Sequence, residues 1–283
     1  MEYSLKIENL QKKYLDFSLQ NISFGVPNGS IVGLIGENGA GKSTTIKLIL
    51  ELINKDGGNV TFWNKRLDNI DKGDIGVVYD ECSFHEVLNA RQISNIMTNV
   101  YKQWDSKKFK SLLDYFSLPN DKKIKDFSKG MKMKLSIAVV LSHNPKLLIL
   151  DEATSGLDPI VRDQVLDVFL DFIQDENHSI LMSSHITSDL EKIADYVTFI
   201  HEGNLIFSES KDQLLYEYGI VKCNTQTFES LENDEIEAYV KEDLGWKVLV
   251  RDKGKIQHKY KGLIIDQPTI DEIMLVYVKG ERK

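Results

Sequence analysis

Cysteine is scarce: Cys82 and Cys223 are the only two, and they form neither a metal-ligand spacing nor a disulfide framework. Reduced thiols in a cytosolic compartment account for them most simply. The six histidines do not cluster, which argues against a metal site built from protein side chains alone. Long apolar runs are also missing. None approaches the roughly eighteen residues of a membrane span, and the opening MEYSLKIENL lacks the apolar core of a secretion signal. The chain is therefore expected not to cross a membrane. Excess positive charge is absent too, since the formal charge is −8 and the pI about 5.4. Basic patches such as Lys122-Lys123-Ile124-Lys125-Asp126 are short and broken by acids, so nucleic acid is not expected as a partner. No internal repeat or low-complexity segment occurs. What remains is ordinary globular chemistry: 283 residues and 42% hydrophobic content suffice for one large core plus a smaller appended unit.

The most informative stretch is Gly36 to Thr44, GENGAGKST, which fits G-x-x-x-x-G-K-[ST]. The apolar run Ile31-Val32-Gly33-Leu34-Ile35 precedes it, and helical spacing at Ile46, Ile49 and Leu50 follows. Strand, glycine loop and helix in that order form a phosphate cradle. Gly36, Gly39 and Gly41 let the backbone turn tightly around Asn38, and successive N–H groups with the helix N-terminus face an anion. Lys42 is then expected to reach the β- and γ-phosphates, with Ser43 offering its hydroxyl to Mg²⁺ and Thr44 opening the helix.

Residues 1–35 alternate apolar and polar positions and turn at Pro27-Asn28-Gly29, which reads as antiparallel strands. Tyr14 stands among them, either stacking on a base or half-buried in the sheet. Between Glu81 and Asn144 the pattern is helical and charged, with Ser128 as the N-cap of a helix running to Ser142. Leu147-Leu148-Ile149-Leu150 reads as a buried parallel strand closed by Asp151-Glu152. Asp158-Pro159 starts another helix, and Ser179–Met182 and Tyr196–Ile200 are further strands. Alternating strands and helices imply an open, largely parallel sheet covered on both faces. Beyond Ser208 the character changes to a small α+β unit, with a charged hairpin expected around Lys253-Gly254 and a helix capped by Thr269-Ile270-Asp271-Glu272.

Asp151, at the end of a buried strand beside a phosphate loop, is placed to approach Mg²⁺, and Glu152 to orient or deprotonate water. His185 ends the strand after the next helix, on the same sheet edge. It either touches a γ-phosphate there or caps the helix toward Leu190.

In this order the stretches resemble the nucleotide-binding subunit of ABC transporters, over about residues 1–208. Gly36 to Thr44 looks like Walker A, Phe127-Ser128-Lys129-Gly130-Met131 like the LSGGQ signature, and Leu147 to Asp151 with Glu152 like Walker B. Ser155-Gly156-Leu157-Asp158 resembles the D-loop and Ser184-His185 the switch histidine. The resemblance implies an α/β, RecA-like P-loop core with an antiparallel β subdomain and a helical subdomain near residues 81–144, followed by a small C-terminal α+β extension over residues 209–283. It implies two subunits closing head to tail, a homodimer in which Ser128 and Gly130 meet the γ-phosphate in trans, Asp158 lies across the boundary and Tyr14 stacks on adenine. Lys129 and Met131 depart from the signature. Asp80 holds the place of the usual Q-loop glutamine, from which a carboxylate reaches Mg²⁺ through water.

The expectation is an ATPase subunit binding ATP and Mg²⁺, peripheral at the inner face of the membrane through a separate membrane-spanning permease. Among relatives it looks most like subunits of bacterial exporters of antimicrobial peptides, drugs or polymers. The rival readings are a soluble ABC-family ATPase and a regulatory subunit that binds nucleotide without hydrolysing it.

Overall fold

The computed structural model describes residues 2–243 and 245–282, so the outermost residues of the two expected domains, Met1 and Lys283, lie outside the described residues. In chain order, β1 (Tyr3–Lys13), β2 (Ser18–Pro27) and β3 (Ile31–Ile35) lead into α1 (Lys42–Ile49), β4 (Gly57–Phe62) and β5 (Ile75–Val78). The helical region follows as α2 (Ala90–Val100), α3 (Ser106–Tyr115) and α4 (Lys129–Ser142). The chain returns to the sheet through β6 (Leu147–Asp151), α5 (Pro159–Phe172), β7 (Ser179–Ser184), α6 (Thr187–Ile193), β8 (Tyr196–His201) and β9 (Asn204–Ser210).

These strands form one nine-stranded sheet in the order β4-β1-β2-β9-β8-β3-β7-β6-β5. One end is antiparallel, with Ile7 opposite Phe24 and Val60. The other is parallel, with β3 running alongside both β7 and β8, and β6 alongside β5 and β7. Residues 1–35 were expected to be antiparallel throughout; Ile31–Ile35 instead sits in the parallel part. All five of its residues are buried, the requirement of a strand covered on both faces. Period-two alternation divides the core accordingly: Leu148, Leu150, Ile180 and Met182 face one cluster, and Leu147, Ile149 and Leu181 the other.

The helix starts follow local chemistry. The Ser128 hydroxyl accepts the Met131 N–H at 3.2 Å, and an Asp158 carboxylate oxygen accepts that of Val161 at 3.1 Å ahead of Pro159.

The remaining elements are β10 (Gly219–Cys223), α7 (Thr225–Ser230), β11 (Ala238–Glu242), β12 (Gly245–Val250), α8 (Lys253–Lys259), β13 (Ile265–Asp266), α9 (Ile270–Lys279) and β14 (Glu281–Arg282). Their strands make a second, antiparallel sheet of five, ordered β13-β10-β12-β11-β14. The charged hairpin expected at Lys253-Gly254 is the helix α8, because Asp252 caps it by accepting the Lys255 N–H at 2.8 Å. Residue 208 falls inside β9, which continues to Ser210 and pairs with β8. Both units share one core, since Ile270, Ile273 and Tyr277 of α9 join Leu190, Phe199 and Phe207 in a single buried cluster.

Candidate active site

The loops after β3, β5, β6 and β7 leave the same edge of the sheet, the carboxyl edge where open parallel sheets hold ligands. The loop after β3 is specified by glycine. A Cβ on Gly36 would stand 2.3 Å from the Ile200 carbonyl oxygen, so no side chain fits. Gly41 caps α1 at φ 115° with no side-chain hydrogen bond, and the first turn carries no acid. The first N–H groups of α1 therefore remain available to an anion.

Lys42 is 5% exposed, and its Nζ donates to the carbonyl oxygens of Gly36 at 2.8 Å and Glu37 at 3.2 Å. The same nitrogen lies 3.4 Å from a Glu152 carboxylate oxygen. An ammonium this enclosed needs acceptors and an opposite charge, and it has both. Ser43 Oγ donates to Asp151 Oδ1 at 3.2 Å, and Ser183 Oγ donates to that same oxygen at 2.7 Å. Hydroxyl and carboxylate converge here as the hard oxygen donors that suit Mg²⁺. Among the described residues no three His, Cys, Asp or Glu groups assemble into a metal site.

Glu152 has φ 55°, a left-handed conformation uncommon outside glycine. Its N–H donates to Ser183 Oγ at 3.0 Å and the Ser183 carbonyl at 3.2 Å, which anchors the turn to β7. Its carboxylate also meets His185 Nδ1 at 2.6 Å. The cleft in front, about 360 Å³, is further lined by Asn38, Gly39, Thr44, Asp80 and Ser155. Burial, and then the charge of Asp151, push the Tyr79 hydroxyl above its ordinary pKa.

Not every expected residue reaches this cleft. Phe17 lines it, whereas Tyr14 is exposed beside it, with the two ring centroids 6.5 Å apart. Ser128, Gly130 and Asp158 are also outside the cleft lining. The segments that carry them adjoin one another: a Cβ on Gly130 would lie 3.6 Å from Val161, and Lys129 Nζ comes within 2.6 Å of where a Gly156 Cβ would stand. Phe17 and Ser183 were not singled out by sequence reasoning, and Ser155 only as the start of the stretch that resembles the D-loop. The available signals were an aromatic residue three positions after Tyr14 and hydroxyls next to the acidic pair and the histidine.

An acid poised between a lysine and a histidine, beside a phosphate cradle, is equipped to position and deprotonate water in front of a terminal phosphate. Among the described residues no helix is long and apolar enough to cross a membrane.

The ABC transporter family profile matches residues 19–155. The lantibiotic transport ATP-binding protein SrtF of Streptococcus pyogenes is 38% identical over 211 residues, covering 74% of this chain and 91% of that protein. The bacitracin transport ATP-binding protein BcrA of Enterococcus faecalis is 34% identical over 212 residues, covering 73% and 69%. Among solved structures, cbiO1 from Clostridium perfringens, part of an ABC transporter complex, superposes with a TM-score of 0.65 at 26% identity, covering 77% and 92%. Cradle, acidic pair, His185 and these likenesses agree: the chain belongs to the ABC transporter ATP-binding proteins, a family of ATPases coupled to transport.

Proposed function

We propose that two copies of this chain close around ATP and Mg²⁺ and hydrolyse it to power export of an antimicrobial peptide or similar drug through the permease. The arrangement that carries the reading is Glu152 held between Lys42 and His185 beside the Ser43–Asp151 pair, with Ser128 and Gly130 outside the lining of that cleft. Ser128, Gly130 and Asp158 do not line their own phosphate cleft, as expected of residues that serve a second copy's nucleotide. The export assignment is supported by relatives named for lantibiotic and bacitracin transport.

In the proposed mechanism the loop N–H groups and Lys42 bind the phosphates, and Glu152 accepts a proton from the attacking water. His185 holds the Glu152 carboxylate on its other side and donates toward the γ-phosphate. Mg²⁺ would neutralise phosphate charge, held by Ser43 and Asp151 with Asp80 nearby. Tyr14 stacks on adenine at the mouth, with Phe17 inside it. Residues 1–208 act as the ATPase domain and 209–283 as an appended unit, the ladder of β9 running two residues past that boundary. The working location is the cytoplasmic face of the membrane, against the permease.

Measuring ATP turnover by the purified chain alone and with its permease, together with a structure bound to a non-hydrolysable analogue, tests this. A structure with Ser128 remote from every bound triphosphate would remove the two-copy mechanism.

A further inference from the structure

The helix that follows the switch histidine is held on both flanks. On the sheet side, Leu190 of α6 presses on Gly33 of β3, where a Cβ would come within 2.7 Å of a leucine methyl. The helix thus rests directly on the backbone of the strand that carries the phosphate loop. On the other side it meets the C-terminal unit. The Glu191 carboxylate accepts the N–H of Ile270, first residue of α9, at 2.7 Å, and the Glu191 carbonyl accepts Lys211 Nζ at 2.9 Å.

That Ile270 N–H is one of those a helix start leaves without an internal partner. The cap of α9, Thr269 with Glu272, serves the N–H groups of Thr269 and Glu272, and an acid from a different unit serves this one. Beside the bond Leu190 and Ile193 share one buried cluster with Ile270 and Ile273, so the half-buried polar contact borders an apolar seam. His185 stands two residues before the first residue of α6, and the Ser184 hydroxyl accepts the Ile186 N–H at 2.9 Å across the link. There is little slack between helix and histidine. A shift of α6 along β3 carries His185 away from the Glu152 oxygen it meets at 2.6 Å.

We infer that Glu191 is a positioning residue through which the C-terminal unit fixes His185 and so sets the rate of ATP hydrolysis. This rests on the proposed role of His185 in turnover. Glu191, Lys211 and Ile270 do not line the phosphate cleft, so the effect falls on kcat and not on ATP binding.

The test uses the full chain with ATP and Mg²⁺. Glu191→Ala should lower kcat about three- to tenfold with KM held within about twofold, the pattern of a misplaced catalytic group. Glu191→Gln keeps an oxygen acceptor for the Ile270 N–H and should stay within about twofold of wild type. Lys211→Met, at a half-buried site, removes the second tie and should lower kcat in the same direction, which keeps the question answerable if Glu191→Ala does not fold. In a His185→Ala background the Glu191→Ala loss should vanish, because the two act as one unit. Unchanged kcat in both single variants, a loss confined to KM, or a full-sized loss persisting without His185 overturns the inference. A fully active His185→Ala single variant is a separate result that removes the role of His185 itself.

Discussion

One carboxylate oxygen of Glu152 lies 3.4 Å from Lys42 Nζ and the other 2.6 Å from His185 Nδ1. The side chain is therefore fixed from both ends before any water is aligned. Replacing it by glutamine keeps the shape and removes the base. Glu152→Gln is expected to lower ATP turnover by about 10²–10⁴ while ATP affinity stays within a few-fold of wild type. Single-turnover hydrolysis alongside equilibrium nucleotide binding checks both halves; near wild-type hydrolysis would take Glu152 out of the chemistry.

Asp80 brings a carboxylate to the lining of the phosphate cleft. Without a divalent cation it repels triphosphate, and a screened unit charge at this range is worth about 1 kcal/mol. Asp80→Asn should thus bind metal-free ATP roughly fivefold more tightly, and at saturating Mg²⁺ that gain should shrink or reverse. Titrations in chelator and in excess Mg²⁺ separate the two cases. Equal affinities of variant and wild type in chelator would mean the carboxylate does not face the nucleotide.

What the sequence made legible was local. Gly36 to Thr44, the Ser128 cap and Asp158-Pro159 each carry their structural instruction within a few residues, and each forms the structure its pattern predicts. What was hidden depends on partners distant in the chain. Ile31–Ile35 lies in the parallel part of the sheet because β7 and β8, far away in sequence, flank it. Asp252 reads equally well as a turn residue or a cap, and only the folded backbone shows that it caps α8. Phe17 was missed for the same reason: its place at the cleft follows from how β2 docks beside β9, through the Gln20–Asn204 pairing, and periodicity does not encode that.

The two aromatic residues at the cleft mouth divide by exposure, with Tyr14 at 44% and its ring centroid 6.5 Å from that of Phe17. Stacking a base is worth about 1–3 kcal/mol. Tyr14→Ala should weaken ATP binding roughly five- to a hundredfold, and Tyr14→Phe should restore it. If Phe17→Ala shows that loss and Tyr14→Ala does not, the stacking surface belongs to Phe17.

His143 is 1% exposed, stacked on Tyr101 with centroids 4.1 Å apart, and its Nδ1 lies 3.1 Å from the Gly73 carbonyl. Burial holds its pKa below the ordinary 6.5. Such a histidine stays neutral to lower pH in the folded protein than in the unfolded chain, which takes up a proton on passing below 6.5. Its contribution is thus complete above that pH and is lost as pH falls toward the depressed folded value, at up to about 1.4 kcal/mol per unit. Urea unfolding from about pH 7.5 to 5.5 should show this slope, and it should be flatter in His143→Phe. Parallel curves for the two proteins would assign the acid sensitivity to other groups.

Ser183 acts twice: its hydroxyl donates to Asp151 Oδ1 at 2.7 Å and accepts the Glu152 N–H at 3.0 Å. It is fully buried, so water has no ready route to replace the lost oxygen. Removing it leaves Asp151 one donor short and loosens the left-handed turn that aims Glu152, whose φ is 55°. Both acids shift together, so Ser183→Ala should reduce turnover by about tenfold or more and raise the Mg²⁺ concentration needed for half-maximal rate. Ser183→Thr retains the hydroxyl and should recover most of the Mg²⁺ dependence even where its extra methyl crowds the strand. An alanine variant with both parameters unchanged would show that Asp151 and Glu152 hold their places without this serine.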